Sequence, residues 1–371
     1  MNLVRTTFST CQIILNFIFL FTFFQFLKTD SKAEDPVSNQ KSDKLNIFPI
    51  IMYDSDIGLG LGGRTLLKDY WKKKESFDLI IFVSSKGEQL YYFQFSLPDA
   101  ELRQRKSYTL AYDFKIEWDK LLKSNYFGIG NNSPNNDFQF PREYFKIDQI
   151  ISHTFSPVVI GEAGFLLVHH TAYNFDESWN TIQSETPGVE ENLSVVISGS
   201  LRLDTRNSQI HPTSGERVFL KAGFSHRGWG SDWKYSLYRL ESSIYRRLFK
   251  SPHVMAARLW LQQVNGTAPF QELSKIGDGW TARGYKADRF LDQSMILTSL
   301  EYRFPIYRAL GGVFFLDAGR VAPRLQDLDF EDLHSNWGWG LRYYLSGFVV
   351  RFDMGWSVEG LRVFFNFGQV F

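Results

Sequence analysis

The sequence is short of cysteine, of net charge and of helix-length apolar runs, and each shortage removes a class of protein. Its single cysteine among 371 residues is Cys11. That residue falls in an N-terminal segment expected to be cleaved, so no thiol would remain for a disulfide, a thiolate metal site or a cysteine nucleophile. Lys and Arg number 41 against 40 Asp and Glu, a formal charge of +1. A nucleic-acid partner calls for a basic surface and is not expected. Mean hydropathy is −0.23, too polar for a multi-helix membrane protein. What is abundant is aromatic: 35 Phe, 17 Tyr and 10 Trp. Many aromatics at modest hydropathy fit an alternating sheet with one face in lipid and the other wet.

The N-terminus reads as a secretory signal. Arg5 supplies positive charge, and Ile13 to Leu27 form an apolar core interrupted by Asn16, Thr22 and Gln25. That core is about 15 residues long, short of the ~20 that a spanning helix needs. Ser31-Lys32-Ala33 offers a small-x-small site, so cleavage is expected after Ala33. Cys11 precedes the apolar core, which does not fit a lipoprotein. The expected organisation is a signal peptide over 1–33, a polar leader over 34–45 and one barrel domain over 46–371.

From Asn46 onward two-residue alternation dominates. Tyr108, Leu110, Tyr112, Phe114, Ile116 and Trp118 share one face, with Asp113, Lys115, Glu117 and Asp119 on the other. Successive side chains of a strand point to opposite faces, so such a segment is apolar outside and charged inside. Leu193 to Asp204 and Trp337 to Leu345 repeat the pattern. Marking every such run predicts about 16 strands, an even number as bacterial outer-membrane barrels have. The fold class is therefore an all-β, transmembrane antiparallel barrel.

Connection lengths supply an independent check. The long ones, 120–141, 175–192, 266–289 and 320–335, all follow odd-numbered strands. Those after even strands, such as Ser156-Pro157 and Ser346-Gly347, are mostly tight turns. Barrels with both ends in the periplasm have long outer loops and short inner turns. Leu361, Val363, Phe365, Phe367 and Phe371 are expected to share one face of the last strand, with Gln369 the exception.

Three segments then stand out in order. Gly277-Asp278-Gly279-Trp280-Thr281-Ala282-Arg283-Gly284-Tyr285 lies in the longest outer loop; Leu300-Glu301-Tyr302-Arg303-Phe304-Pro305 and Val313 to Val321, containing Asp317, follow it. This order resembles the bacterial surface antigen superfamily, the barrels of the BamA and TamA type. Further segments agree: Ile57 to Gly62, Leu203 to Asn207 with His211 to Gly215, and Asn125 to Asn131. The resemblance spans about Asn46 to Phe371 and implies an outer-membrane location. It also implies that the Arg-Gly-aromatic tip folds back into the barrel between strands eleven and twelve, where the strand count puts Arg283. Glu301 and Asp317 match the family positions that hold this arginine.

The physics of the tip agrees. A guanidinium keeps its charge and is costly to bury unpaired, so it should meet carboxylates on inward-facing positions. Arg283, Gly284 and Tyr285 are expected to form a tip locked in the lumen by charge-assisted bonds from Arg283 to Glu301 and Asp317. Where BamA and TamA carry tandem POTRA domains, only about a dozen residues would precede the first strand here, so the resemblance is to a member without them.

Other motifs carry less. Gly58-x-Gly60-x-x-Gly63 matches a dinucleotide fingerprint, but no helix follows it. Lumen-facing small residues there are expected to let the tip loop approach closely. His169 and His170 point to opposite faces and cannot share one metal. No catalytic constellation is visible, and neither an enzyme, a cofactor nor a metal is expected. The resemblance implies insertion or translocation of outer-membrane protein or lipid through a labile seam between the first and last strands. Pro49, which removes a ladder hydrogen bond, and Phe371 are the seam residues. The expected partners are outer-membrane lipid, lipopolysaccharide and a separate periplasmic protein. A plugged surface-binding protein and a diffusion pore are the alternatives.

Overall fold

The computed structural model describes residues 45–371, except 136–137, 174–185, 190, 249–251 and 346–347. The expected signal segment and residues 34–44 of the leader lie outside the described residues; Leu45 already belongs to the first strand.

Strands β1 (Leu45–Asp54), β2 (Gly58–Lys68), β3 (Ser76–Ser84), β4 (Gln89–Leu97), β5 (Ala111–Tyr126) and β6 (Phe138–Ser156) come first. They are followed by β7 (Val159–Ala172), β8 (Asn192–Asp204), β9 (Gly215–Ser225), β10 (Lys234–Leu248) and β11 (His253–Thr267). Two short strands, β12 (Ser274–Ile276) and β13 (Phe290–Asp292), pair with each other inside the next connection. The wall resumes with β14 (Ser294–Tyr307), β15 (Leu310–Ala322), β16 (His334–Leu345), β17 (Phe348–Ser357) and β18 (Gly360–Phe367). Wall strands pair antiparallel with their neighbours, β11 with β14 and β18 with β1, closing one barrel.

Alternation explains the wall. On β5, Asp113 points inward to Arg103 and Lys115 to Asp148, while Trp118 packs outside on Tyr91. On β15, Phe314 and Leu316 are exposed, whereas Asp317 is fully buried on the opposite face. One face meets lipid and the other the lumen.

Two boundaries differ from the sequence reading. The expected loop 120–141 shortens, because β5 runs to Tyr126 and β6 begins at Phe138. The register slips between Leu121 and Ser124, and such a bulge swaps the faces, so the alternation that marks a strand is interrupted although pairing continues. The last strand is shorter than expected and stops at Phe367. Gly368 takes a left-handed conformation (φ +86°), which suits glycine, and turns residues 369–371 away from the wall.

The lumen is filled unevenly. Arg64, Lys115 and Lys146, on β2, β5 and β6, remain partly exposed. The segment between β11 and β14 reaches both sides of the lumen: Phe270 packs on Tyr126 of β5 and Phe140 of β6, and its tip packs against the inner faces of β14 to β17. Ile276, Tyr285 and Phe290 of this segment join Met295, Leu297 and Val321 of the wall in one apolar cluster. Each such side chain contributes about 1.5–3 kcal/mol when fully buried, so the segment has an apolar anchor as well as its charged tip.

Candidate functional site

Arg283 is brought to the inner wall by the hairpin β12–β13, which returns the chain to β14. Its side chain is wholly buried. Nε and Nη2 donate to the two oxygens of Asp317, both at 2.9 Å, and Nη1 donates to Glu301 at 2.6 Å. The guanidinium carbon also sits 3.6 Å from the centre of the Phe315 ring. A planar fork that meets one carboxylate with two bonds, another with a third and a ring with its face uses the geometry peculiar to arginine.

The flanking tip residues have separate jobs. A Cβ on Gly284 would lie 2.5 Å from Cβ of Asn336 and 2.9 Å from Cβ of Ser357. On the wall, a Cβ on Gly355 would lie 2.3 Å from the carbonyl oxygen of Arg283. The tip can seat only where both positions lack side chains. Tyr285 packs on Phe290 and His334, and its hydroxyl donates to the Ser335 carbonyl at 3.2 Å. The glycines of β2 do not serve the tip: Gly60 is covered by the ring of Phe82 from the neighbouring strand. That expectation is corrected, since the close approach falls at Gly355 on β17.

Sequence reasoning missed part of the network. Asp353 of β17 lies 3.5 Å from Arg283 Nη1 and accepts from Arg342 Nη1 at 2.6 Å. Arg303 Nε donates to Glu301 at 2.8 Å, and Asn336 Nδ2 to Asp317 at 3.1 Å. Arg351 and Arg258 donate to the carbonyls of Gly279 and Trp280, each at 2.8 Å, and so hold the backbone of the tip. Arg258, Arg283, Arg303, Arg342 and Arg351 thus face Glu301, Asp317 and Asp353, all nearly or fully buried. Arginines do not lose their protons in proteins, so this assembly is suited to holding a loop rather than to acid–base chemistry. Among the described residues, no group of three or more His, Cys, Asp and Glu side chains could hold a metal ion. His169 and His170 do point apart, the first to Glu191 and the second to Glu272.

The seam is thin. β1 pairs with β2 at ten positions from Leu45↔Leu67 to Asp54↔Gly58, but with β18 only at Tyr53↔Phe365 and Asp54↔Phe364. Ser55 adds three bonds to Val363: its backbone N–H and its hydroxyl each donate to the carbonyl at 3.2 Å, and the Val363 N–H donates to the hydroxyl at 3.0 Å. Pro49 stands opposite Gly63 of β2, outside the two positions of β1 that pair with β18 in the ladder. Phe371 is not at the seam. Its ring lies inside the barrel beside Tyr245, with the guanidinium carbons of Arg258 and Arg303 5.0 and 5.4 Å from its centre. Arg303 Nη2 also donates to its carbonyl at 3.2 Å. The turn at Gly368 is the physical cause of that correction.

Solved structures of similar fold agree in kind. The chain resembles BamA from Haemophilus ducreyi lacking POTRA domains 1–3, with a TM-score of 0.63 at 14% identity over 88% of this chain and 70% of that one. It also resembles CdiB from Acinetobacter baumannii (TM-score 0.60, 11% identity, 88% of this chain) and CdiB from Escherichia coli (0.61, 10%, 89%). It spans 60% and 63% of those two chains. No curated protein sequence matches the chain. The Omp85 superfamily domain matches residues 76–371. A closed antiparallel barrel and that match over most of its length place the chain in the Omp85 superfamily, as an outer-membrane protein.

Proposed function

We propose that this barrel inserts or translocates protein or lipid at the outer membrane, and that its moving part is the β1–β18 seam. The observation that carries the reading is the contrast between ten paired positions on one side of β1 and two on the other. Each backbone hydrogen bond contributes a net ~0.5–1.5 kcal/mol, so the seam is the cheapest place to part the wall. Unpaired N–H and C=O groups along a strand edge are a template for another strand, and β1 offers such an edge from Ile47 to Met52.

In this reading the Arg283 tip is a lock. It braces β14, β15 and β17 from inside, so the wall next to the seam stays rigid while β1 and β18 separate. Outer-membrane lipid and lipopolysaccharide surround the barrel, and a separate periplasmic protein delivers the client.

The test is a reversible crosslink. Tyr53→Cys with Phe365→Cys joins facing positions of the seam in a chain whose only native cysteine is Cys11. In cells relying on this variant, outer-membrane protein or lipid content should fall under oxidising conditions and recover on reduction. Unchanged content with a fully formed crosslink would rule out gating.

A plugged barrel that displays its outer loops is the second reading, favoured by the tip segment, which packs on both β5–β6 and β14–β17, and by Phe371 inside the barrel. Planar bilayers separate these from a diffusion pore. Small flickering currents fit a plugged or gated barrel, and steady large currents fit a pore.

A further inference from the structure

The turn between β2 and β3 has no part in the tip or the seam, yet it is built at some cost. It runs Asp69-Tyr70-Trp71-Lys72-Lys73-Lys74-Glu75 at the end of the barrel that carries the short turns, which is the periplasmic end in outer-membrane barrels. Trp71 packs edge-on against Phe77, with ring centres 4.9 Å apart, and reaches Phe95. Those two rings continue the lipid-facing row of Leu79, Ile81 and Val83 on β3. Tyr70 and Trp71 are still 65% and 56% exposed. Exposed Trp and Tyr at the end of a lipid-facing row mark the depth of the lipid headgroups.

Three lysines follow directly. Lys72 and Lys74 have φ of 61° and 65°, in the left-handed region that glycine or asparagine holds at lower cost. The carboxylates of the turn are turned to its own backbone. Glu75 is buried and accepts from the N–H groups of Trp71 and Lys73, and Asp69 accepts from the N–H of Lys74 at 2.9 Å. The neighbouring carboxylates Asp99 and Glu101 are occupied by Lys68. Among the described residues, no carboxylate lies within ion-pair distance of the ammonium groups of Lys72, Lys73 or Lys74. Three exposed, unpaired cations therefore sit one step beyond an aromatic anchor at the headgroup level.

We propose that this turn is a binding site for anionic phospholipid in the periplasmic leaflet. Trp71 and Tyr70 lie among the acyl–headgroup boundary groups, and Lys72 to Lys74 take the lipid phosphates. Charge complementarity and continuity with the lipid-facing wall select a lipid over a soluble partner. The site does not depend on whether the seam opens.

The experiment compares the full barrel with the triple variant Lys72→Gln, Lys73→Gln, Lys74→Gln, each in mixed vesicles of phosphatidylcholine and phosphatidylglycerol. Lipid retained after detergent extraction is counted by native mass spectrometry, and folding is checked by heat-dependent gel mobility. The wild-type barrel should retain phosphatidylglycerol preferentially. That preference should fall by about fivefold per lysine removed, the effect of one basic residue at an anionic surface. In wild type it should weaken as salt shortens the screening length, which needs no variant to fold. Millimolar inorganic phosphate should not displace the lipid, and Trp71→Ala should reduce retention of both lipids. Equal phosphatidylglycerol retention by wild type and triple variant, or a wild-type preference indifferent to salt, would overturn the proposal. So would displacement by free phosphate, or an acidic periplasmic protein crosslinking to these lysines while lipid retention stays the same.

Discussion

Arg342 of β16 and Arg351 of β17 stand directly opposite one another in the ladder, and both side chains are fully buried in the lumen. Like charges at facing positions destabilise a sheet, and burial sharpens the repulsion. Asp353 relieves it, accepting from Arg342 at 2.6 Å and lying 3.6 Å from Arg351. The two positions should therefore respond unequally. Arg351→Met keeps the packing on Trp280 and relieves the repulsion but gives up the bond to the Gly279 carbonyl, so its net cost should be the smaller, about 1–3 kcal/mol. Asp353→Ala should cost about 3–5 kcal/mol, because it removes the carboxylate closest to Arg342 and leaves Arg283, Arg342 and Arg351 with less compensating charge. Urea unfolding in detergent micelles, followed by tryptophan fluorescence, measures both.

Arg283 should not tolerate lysine. Lysine presents one ammonium in place of a planar fork, and cannot bond both oxygens of Asp317 and reach Glu301 while lying flat on Phe315. Arg283→Lys should release the tip nearly as fully as Arg283→Ala. Protease cleavage between residues 277 and 289 on intact cells should rise in both variants. Resistance of the lysine variant equal to wild type would show that charge alone seats the loop.

What was legible in the sequence follows from how each signal is encoded. Strand parity and the inward charges of β5 depend on two-residue alternation, which every strand residue reports. Arg283, Glu301 and Asp317 were legible through a motif and through the need of a buried cation for carboxylates. Asp353, Arg342 and Arg351 were not, because on β16 and β17 they look like any lumen-facing charges, and only the folded tip shows which of them it touches. Phe371 was misplaced for the opposite reason. Its parity matches Phe365 and Phe367, but one left-handed residue, Gly368, turns the chain inward and makes parity meaningless beyond it.

Asp56 ties the tip to the seam. Its carboxylate pairs with Arg362 of β18 and accepts from the backbone N–H of Ala287, at 2.9 Å, in the segment that carries the tip. Removing it should loosen both at once. A hydrogen bond to a charged group contributes about 1.5–3 kcal/mol, so amide exchange at Tyr53 and Phe365 should quicken about tenfold or more in Asp56→Ala. Asp56→Asn, which keeps an acceptor for Ala287 but loses the charge, should fall between. Equal exchange in all three proteins would separate the seam from the loop.

Gly355 supplies the most local test of tip seating. A methyl group there would stand 2.3 Å from the carbonyl oxygen of Arg283, a backbone atom that cannot swing aside. Gly199 on β8 is the control, since nothing lies within 4 Å of a Cβ built on it. Gly355→Ala should cost about 1–3 kcal/mol by overpacking and raise protease access to the tip. Gly199→Ala should be neutral or slightly stabilising, because alanine loses less chain entropy than glycine on folding. If both variants unfold at the same urea concentration, the tip does not rest on β17 as tightly as the contact at Gly355 requires, and the bracing assigned to Arg283 fails with it.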